Sequence, residues 1–100
     1  MPKGYWIIRV DVTDLEAFKA YAVSNAGALR RFGAKFLVRA GAFTVVEGQA
    51  RARSTVVEFP SYQDALDCWN SPEYQEARAL RLGACEMDLV IVEGFDGSLP

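Results

Sequence analysis

"STVVEFPSYQDALDCWNSPEYQEARALRLG" (Ser54–Gly83) decides the fold. It opens with β-branched residues in a short apolar run and reads as a strand over 54–59. Pro60 ends that strand. Ser61 caps a helix with Asp64 in its first turn and Ala65, Leu66, Cys68 and Trp69 at its apolar positions. Ser71 and Pro72 then restart the chain as a new helix. The serine supplies an N-cap hydroxyl, and proline takes the first helical position, where a missing N–H costs nothing. Glu73 suits the positive end of the helix dipole, the helix runs to about Leu82, and Gly83 closes it. A strand leading into two consecutive helices demands another strand beyond, and "MDLVIVEG" (87–94) supplies it.

The N-terminal half repeats the pattern. "YWIIRVDV" (5–12) reads as a strand. Thr13 and Glu16 form a capping box, and Leu15, Phe18, Ala22, Ala26, Leu29 and Phe32 recur at helical spacing. Gly33 falls where a helix-ending glycine belongs. "AKFLVRA" (34–40) is the next strand, and "FTVVEG" (43–48) reads as a short extra one before a polar loop. The order β-α-β-(β)-β-α-β predicts an α+β, ferredoxin-like antiparallel sheet with helices on one face, in a single domain over residues 1–100.

Alternation along each strand predicts two faces. Trp6, Ile8, Val10 and Val12 fall together, as do Phe36 with Val38, Thr55 with Val57 and Phe59, and Val90 with Val92. The opposite parity holds Tyr5, Ile7, Arg9 and Asp11, then Lys35, Leu37 and Arg39, then Val56 and Glu58, then Leu89, Ile91 and Glu93. The first set suits a core under the helices. The second mixes aliphatic area with charge and has no helix to cover it. Such a patch marks an interface, and a second copy stacked sheet against sheet is the simplest cover.

Composition narrows the function classes. The 100 residues are 51% hydrophobic and 24% charged, with net charge −2 and no histidine. That balance lacks the basic character of a nucleic-acid binder. No segment has the length of a membrane span or a signal peptide. The two cysteines, Cys68 and Cys85, match no metal or redox spacing, which predicts free thiols in a reducing cytoplasm. Without histidine the commonest metal ligand and the commonest neutral-pH base are both missing. No metal and no cofactor is expected.

Together, "GYWIIRVDVTDLEAFKAY" (4–21), "GAKFLVRAG" (33–41) with "VVEG" (45–48), "VVEFPSYQDALDCWNSPEYQEARALR" (56–81) and "DLVIVEG" (88–94) resemble the domain of unknown function 1330 family. The resemblance covers nearly the whole chain and implies a dimeric α+β barrel. In the wider group, sheets of two subunits pack face to face, and a ligand lies in a cleft between sheet and helices. Some members transform small aromatic or polyketide-like molecules without a cofactor, and others bind haem. The absence of histidine departs from the haem-binding members and puts haem binding here in doubt.

The candidate site residues follow from placement. Tyr74, one turn into the last helix, is a phenol able to protonate or hydrogen-bond a carbonyl or enolate, and equally a core aromatic with its hydroxyl satisfied. Arg81 lies seven residues on, near the same helical face. It suits a bidentate carboxylate clamp or simply a helix C-terminus. Arg39 and Glu58 share a face of neighbouring strands, as anion binder and base. Tyr21 and Asn25 lie four apart on the first helix, so one of them can face the cleft. Trp69 is core or pocket wall. Cys68, on an apolar face, reads as a small buried hydrophobe. Two readings remain open: a protein that binds or transforms a small anionic or carbonyl-bearing metabolite, and a non-catalytic homodimeric binding or assembly module.

Overall fold

A computed structural model describes residues 2–99. Four strands, β1 (Gly4–Val12), β2 (Lys35–Arg39), β3 (Arg53–Phe59) and β4 (Cys85–Glu93), form one sheet in the order β2-β3-β1-β4. Every neighbouring pair is antiparallel. Four helices, α1 (Leu15–Ser24), α2 (Ala26–Arg31), α3 (Tyr62–Asn70) and α4 (Pro72–Ala79), complete the expected ferredoxin-like arrangement. The body measures 45 × 35 × 16 Å. That thinness follows from a sheet covered by helices on one side only.

The helix signals resolve as local chemistry. Ser61 accepts from the Asp64 N–H at 3.0 Å and caps α3. Ser71 ends α3 and begins α4. Its hydroxyl donates to the Cys68 carbonyl at 2.7 Å and accepts from the Tyr74 N–H at 3.2 Å. The start of α1 differs by one residue from the expected box. Asp14, not Thr13, is the cap and accepts from the Ala17 N–H. The Thr13 and Asp14 amides both donate to the Ala84 carbonyl, which pins the chain between β1 and α1. The single helix expected to reach Phe32 is broken at Asn25. It ends on Gly33 at φ +74, a left-handed position that glycine accepts without a Cβ penalty. Gly4 serves a different end. A Cβ there would lie 2.4 Å from the Ser61 carbonyl oxygen, so glycine lets β1 pass close under the start of α3.

The expected strand at 43–48 does not form. Strand β2 is the sheet edge. After its last rung, the Ala40 amide to the Ser54 carbonyl at 2.9 Å, Ala40 turns to φ 53 and sends the chain away from the sheet. A segment without a partner for its backbone groups cannot be a strand. Residues 40–52 instead make an irregular arm whose Val46 is 91% exposed. Arg51 ties its base back across the sheet, bonding to Asp11 at 2.9 Å, Asp88 at 2.9 Å and Glu86 at 3.2 Å. The Ala52 amide adds a bond to Asp11.

Register corrects the two faces. Strand β4 pairs with β1 so that Ile91 lies opposite Trp6, Leu89 opposite Ile8 and Met87 opposite Val10. Leu89 and Ile91 therefore pack against the core, while Val90 and Val92 take the open face. Glu93 lies opposite Gly4 and leaves the open set. In β2 a bulge intervenes: Phe36 pairs with Val57, but Val38 pairs with Val56 and Arg39 with Thr55. Leu37 is the extra residue, and beyond it every side chain changes face. Val38 joins the open face and Arg39 turns to the helix side of the sheet, where it stays exposed at the edge, away from Glu58. The open face thus carries an apolar row, Val38, Val56, Ile7 and Val90, directly across all four strands.

The core under the helices is aromatic. Trp6, Val57, Phe59, Cys68 and Tyr74 are its largest fully buried side chains. The Trp6 indole donates to the Ala65 carbonyl at 3.0 Å, which fixes α3 over β1. No helix of the described residues is long and apolar enough to cross a membrane.

The arm's clasp carries a pH signature. Hydrogen bonds from the Ala52 amide and Arg51 hold the Asp11 carboxyl below its ordinary 3.8. A carboxyl lowered in the folded state contributes fully above its unfolded value and loses that contribution as pH falls through the lower, folded one. Hydrogen exchange of the arm amides, corrected for intrinsic rates, should stay flat between about pH 5 and 7 and rise only below 3.8. Asp11→Asn should raise it at every pH while sheet amides stay protected. Unchanged arm exchange in that variant would show that the clasp does not order the arm.

Candidate functional site

The register shift at Leu37 builds a site between the sheet and α1–α2. A cavity of about 180 Å³ lies there. Its floor is Trp6, Ile8, Val10, Thr55 and Val57 from the two central strands, and its roof is Phe18, Tyr21, Ala22, Asn25 and Leu29. Phe36, Arg39 and Arg53 also line it. A second depression of about 240 Å³ shares Ala22, Asn25, Leu29, Phe36 and Arg39 with the first and adds Arg30.

The chemistry of the lining is one-sided. Arg30, Arg39 and Arg53 are its only ionisable side chains apart from the Tyr21 phenol. Among the described residues none of the three arginines has a carboxylate partner. Arg39 lies over the Phe36 ring at 4.5 Å and Arg53 over Phe18 at 5.8 Å, so each guanidinium is steadied by an aromatic face. Asn25 is only 8% exposed, and no hydrogen bond within the described residues uses its side-chain amide. The buried side-chain atoms left without a partner among the described residues are Arg78 Nε and Arg81 Nε, so the Asn25 amide keeps access to solvent at the cavity and is free to meet a ligand.

The other sequence-predicted residues lie elsewhere. Tyr74 is 0% exposed and deep in the core, edge-on to Trp6 at 4.9 Å and tilted against Trp69 at 5.4 Å. Its hydroxyl is 2.8 Å from that of Tyr21 and accepts from Arg81 at 3.3 Å. Burial, with the Tyr21 phenol beside it, pushes the Tyr74 pKa well above the ordinary phenol value, against the opposing pull of Arg81. Arg81 is itself 6% exposed, with its Cζ 5.1 Å from the Tyr21 ring centroid. The expected pairing of Tyr74 with Arg81 on one face is therefore present, but inside the core. Trp69 packs there too, under Arg78 at 5.3 Å. Glu58 is on the opposite face of the sheet, where it accepts from the Tyr5 hydroxyl at 3.2 Å. The structure brings Arg39 and Asn25 together and leaves Glu58, Tyr74, Arg81 and Trp69 outside the cavity lining. Sequence reading missed Arg53 and Arg30. Arg53's signal was its parity with Thr55 and Val57, once the strand is extended by one residue.

A sequence model of the family described as "Domain of unknown function (DUF1330)" matches residues 3–95. The chain belongs to the DUF1330 family. No curated protein matches it. Solved structures share its fold. A protein of unknown function from Rhodopseudomonas palustris is 17% identical with a TM-score of 0.77, over 96% of this chain and 85% of that one. SnoaB, a cofactor-independent oxygenase from Streptomyces nogalater, is 12% identical with a TM-score of 0.63, over 100% and 99%. An ethyl tert-butyl ether D family protein from Bacillus halodurans is 14% identical with a TM-score of 0.58, over 95% and 100%. At identities this low, the TM-scores show for the DUF1330 chain a shared α+β, ferredoxin-like fold.

Cys68 keeps the character read from its position. It is fully buried and donates weakly to the Ala28 carbonyl. Burial, with the charge of Glu73, pushes its thiol up to about 12. An aromatic disulfide reagent at mildly alkaline pH should label the half-buried Cys85 in the native protein and reach Cys68 only on unfolding. Rapid reaction of both thiols in the native state would contradict this packing.

Proposed function

We propose that this DUF1330 protein binds a small, largely apolar anion, such as an aromatic carboxylate, in the cavity between α1–α2 and the sheet. The observation that carries the reading is the pairing of apolar and aromatic walls with arginines that have no carboxylate among the lining residues. An aromatic body would bury its surface against Trp6, Phe18, Phe36 and Leu29, and its charge would meet Arg39 and Arg53 with Asn25 as a neutral donor. The lining holds no carboxylate, lysine or cysteine. It therefore suits holding an anion better than removing a proton at neutral pH. SnoaB, a cofactor-independent oxygenase, shares this fold.

Benzoate and phenylacetate are the probes. Either should raise the melting temperature of the purified protein, since a ligand bound only by the folded state stabilises it. Benzyl alcohol, of similar shape but uncharged, should do so less. Losing a hydrogen bond to a charged group costs about 1.5–3 kcal/mol, so Arg39→Gln should weaken benzoate about tenfold or more by calorimetry. If no aromatic carboxylate shifts the melt, or Arg39→Gln binds benzoate as well as the wild type, the reading falls.

We infer also that the chain works as a homodimer through its open face. The support is the apolar row Val38–Val56–Ile7–Val90, with Val90 58% exposed and no helix above it. Charges flank the row: Arg9, Asp11 and Asp88 on one side and Lys35 and Glu58 on the other. This is the pattern of an interface with an apolar centre and a polar rim. Sedimentation should give a dimer at micromolar concentration, and Ile7→Arg should give a folded monomer. A monomeric wild type would refute the interface.

A further inference from the structure

The buried trio Tyr21, Tyr74 and Arg81 is not part of the binding set above, although Tyr21 lines the cavity, yet it has a direction. A phenol carries one hydrogen and can also accept. Arg81 is a donor only, so its contact with the Tyr74 oxygen runs one way, from guanidinium to phenol. The 2.8 Å contact between the two phenols permits either to be the donor. Were Tyr21 the donor, the Tyr74 hydrogen would be stranded. Tyr74 is 0% exposed, and its hydroxyl has no other hydrogen-bond partner among the described residues. A buried donor without an acceptor costs free energy that the alternative arrangement avoids. Satisfaction of Tyr74 therefore requires Arg81 to donate to Tyr74 and Tyr74 to donate to Tyr21.

That polarity leaves one hydrogen over. The Tyr21 hydroxyl accepts from Tyr74, so its own hydrogen has no acceptor among the described residues, although the side chain is buried and lines the cavity. Four residues on, Asn25 lines the same cavity. Resting on the anion-binding reading, we propose that Tyr21 is a specificity-determining donor for an oxygen acceptor of the bound molecule, a carboxylate, phenolate or enolate oxygen. Tyr74 and Arg81 are positioning residues that fix the direction of its hydrogen bond from within the core.

Each donor in the chain strengthens the next by polarisation, and the chain begins on a guanidinium with no carboxylate partner. The positive charge of Arg81 is thereby relayed toward the cavity without occupying it. The ligand class is narrowed accordingly. The cavity takes a molecule with an oxygen acceptor near Tyr21, and an apolar molecule of the same size gains nothing from the trio.

The direction of the chain is measurable without any ligand. In protein carrying tyrosine labelled with carbon-13 at Cζ, the Tyr74 hydroxyl hydrogen should give a distinct, slowly exchanging proton signal, while that of Tyr21 exchanges faster. Signals are assigned with Tyr21→Phe and Tyr74→Phe. Equal exchange, or slower exchange at Tyr21, overturns the assigned direction. With benzoate as probe, Tyr21→Phe should lose about tenfold in affinity, the range for a hydrogen bond to a charged acceptor. Toluene, the acceptor-free analogue, should bind the variant and the wild type alike. Arg81→Met should give a smaller loss for benzoate and none for toluene. If wild-type protein binds benzoate and Tyr21→Phe binds it equally well, the role of Tyr21 fails while the cavity reading stands. If wild-type protein binds no aromatic carboxylate, the cavity reading itself fails.

Discussion

Tyr74 holds the helical layer to the sheet. Its ring meets Trp6 of β1, Trp69 of α3 and Tyr21 of α1, and its hydroxyl joins Tyr21 to Arg81. One side chain from α4 thus fixes three other elements. The serine that caps α4 places Tyr74, because the Ser71 hydroxyl binds the Tyr74 amide and Pro72 starts the helix between them. A single Ser-Pro break therefore governs how α1 sits over the sheet, and with it the height of the cavity roof.

The second determinant is one residue in an edge strand. Without the bulge at Leu37, Arg39 would fall opposite Ser54 and face the open side near Arg9. The added residue turns Arg39 to the helix side of the sheet, where it lines the cavity with Arg53 and Asn25. The same turn hands Val38 to the open face, where it completes the apolar row. Cavity charge and open-face apolarity are two results of one register shift. Bulges are common where a strand must re-aim a side chain for function.

The elements themselves were legible in the sequence because their signals are local. Ser61, Ser71–Pro72 and Gly33 act through bonds to residues a few positions away, so the chain order alone exposes them. The faces were less legible because alternation is a property of one strand, whereas register belongs to pairs. Nothing within "LVIV" says that Leu89 rather than Val90 lies opposite Ile8, and nothing within "KFLVR" marks Leu37 as the extra residue. The arm was misread for a related reason. "FTVVEG" has strand composition, but a strand also needs a neighbour, and Ala40 turns the chain away from the sheet edge. At the site, Asn25 and Arg39 were found as residue types in reach of a cleft. Tyr74 and Arg81 were found as a pair, and only the packing shows that they pair inside the core.

The distribution of charge gives the clearest sign of what the fold is arranged to do. The chain is acidic overall, at net charge −2, yet three arginines gather around the cavity without a carboxylate among its lining, and a fourth is buried behind it. The acids that form ion pairs do so elsewhere: Glu73 with Arg31, and Asp11, Glu86 and Asp88 with Arg51. Arg30 and Arg39 stay exposed and Arg53 is half-buried, whereas Arg81 is buried without a carboxylate partner among the described residues. A sequence with 13 acidic residues had ample means to neutralise these arginines. An anion entering the cavity would meet preoriented donors and a field already in place.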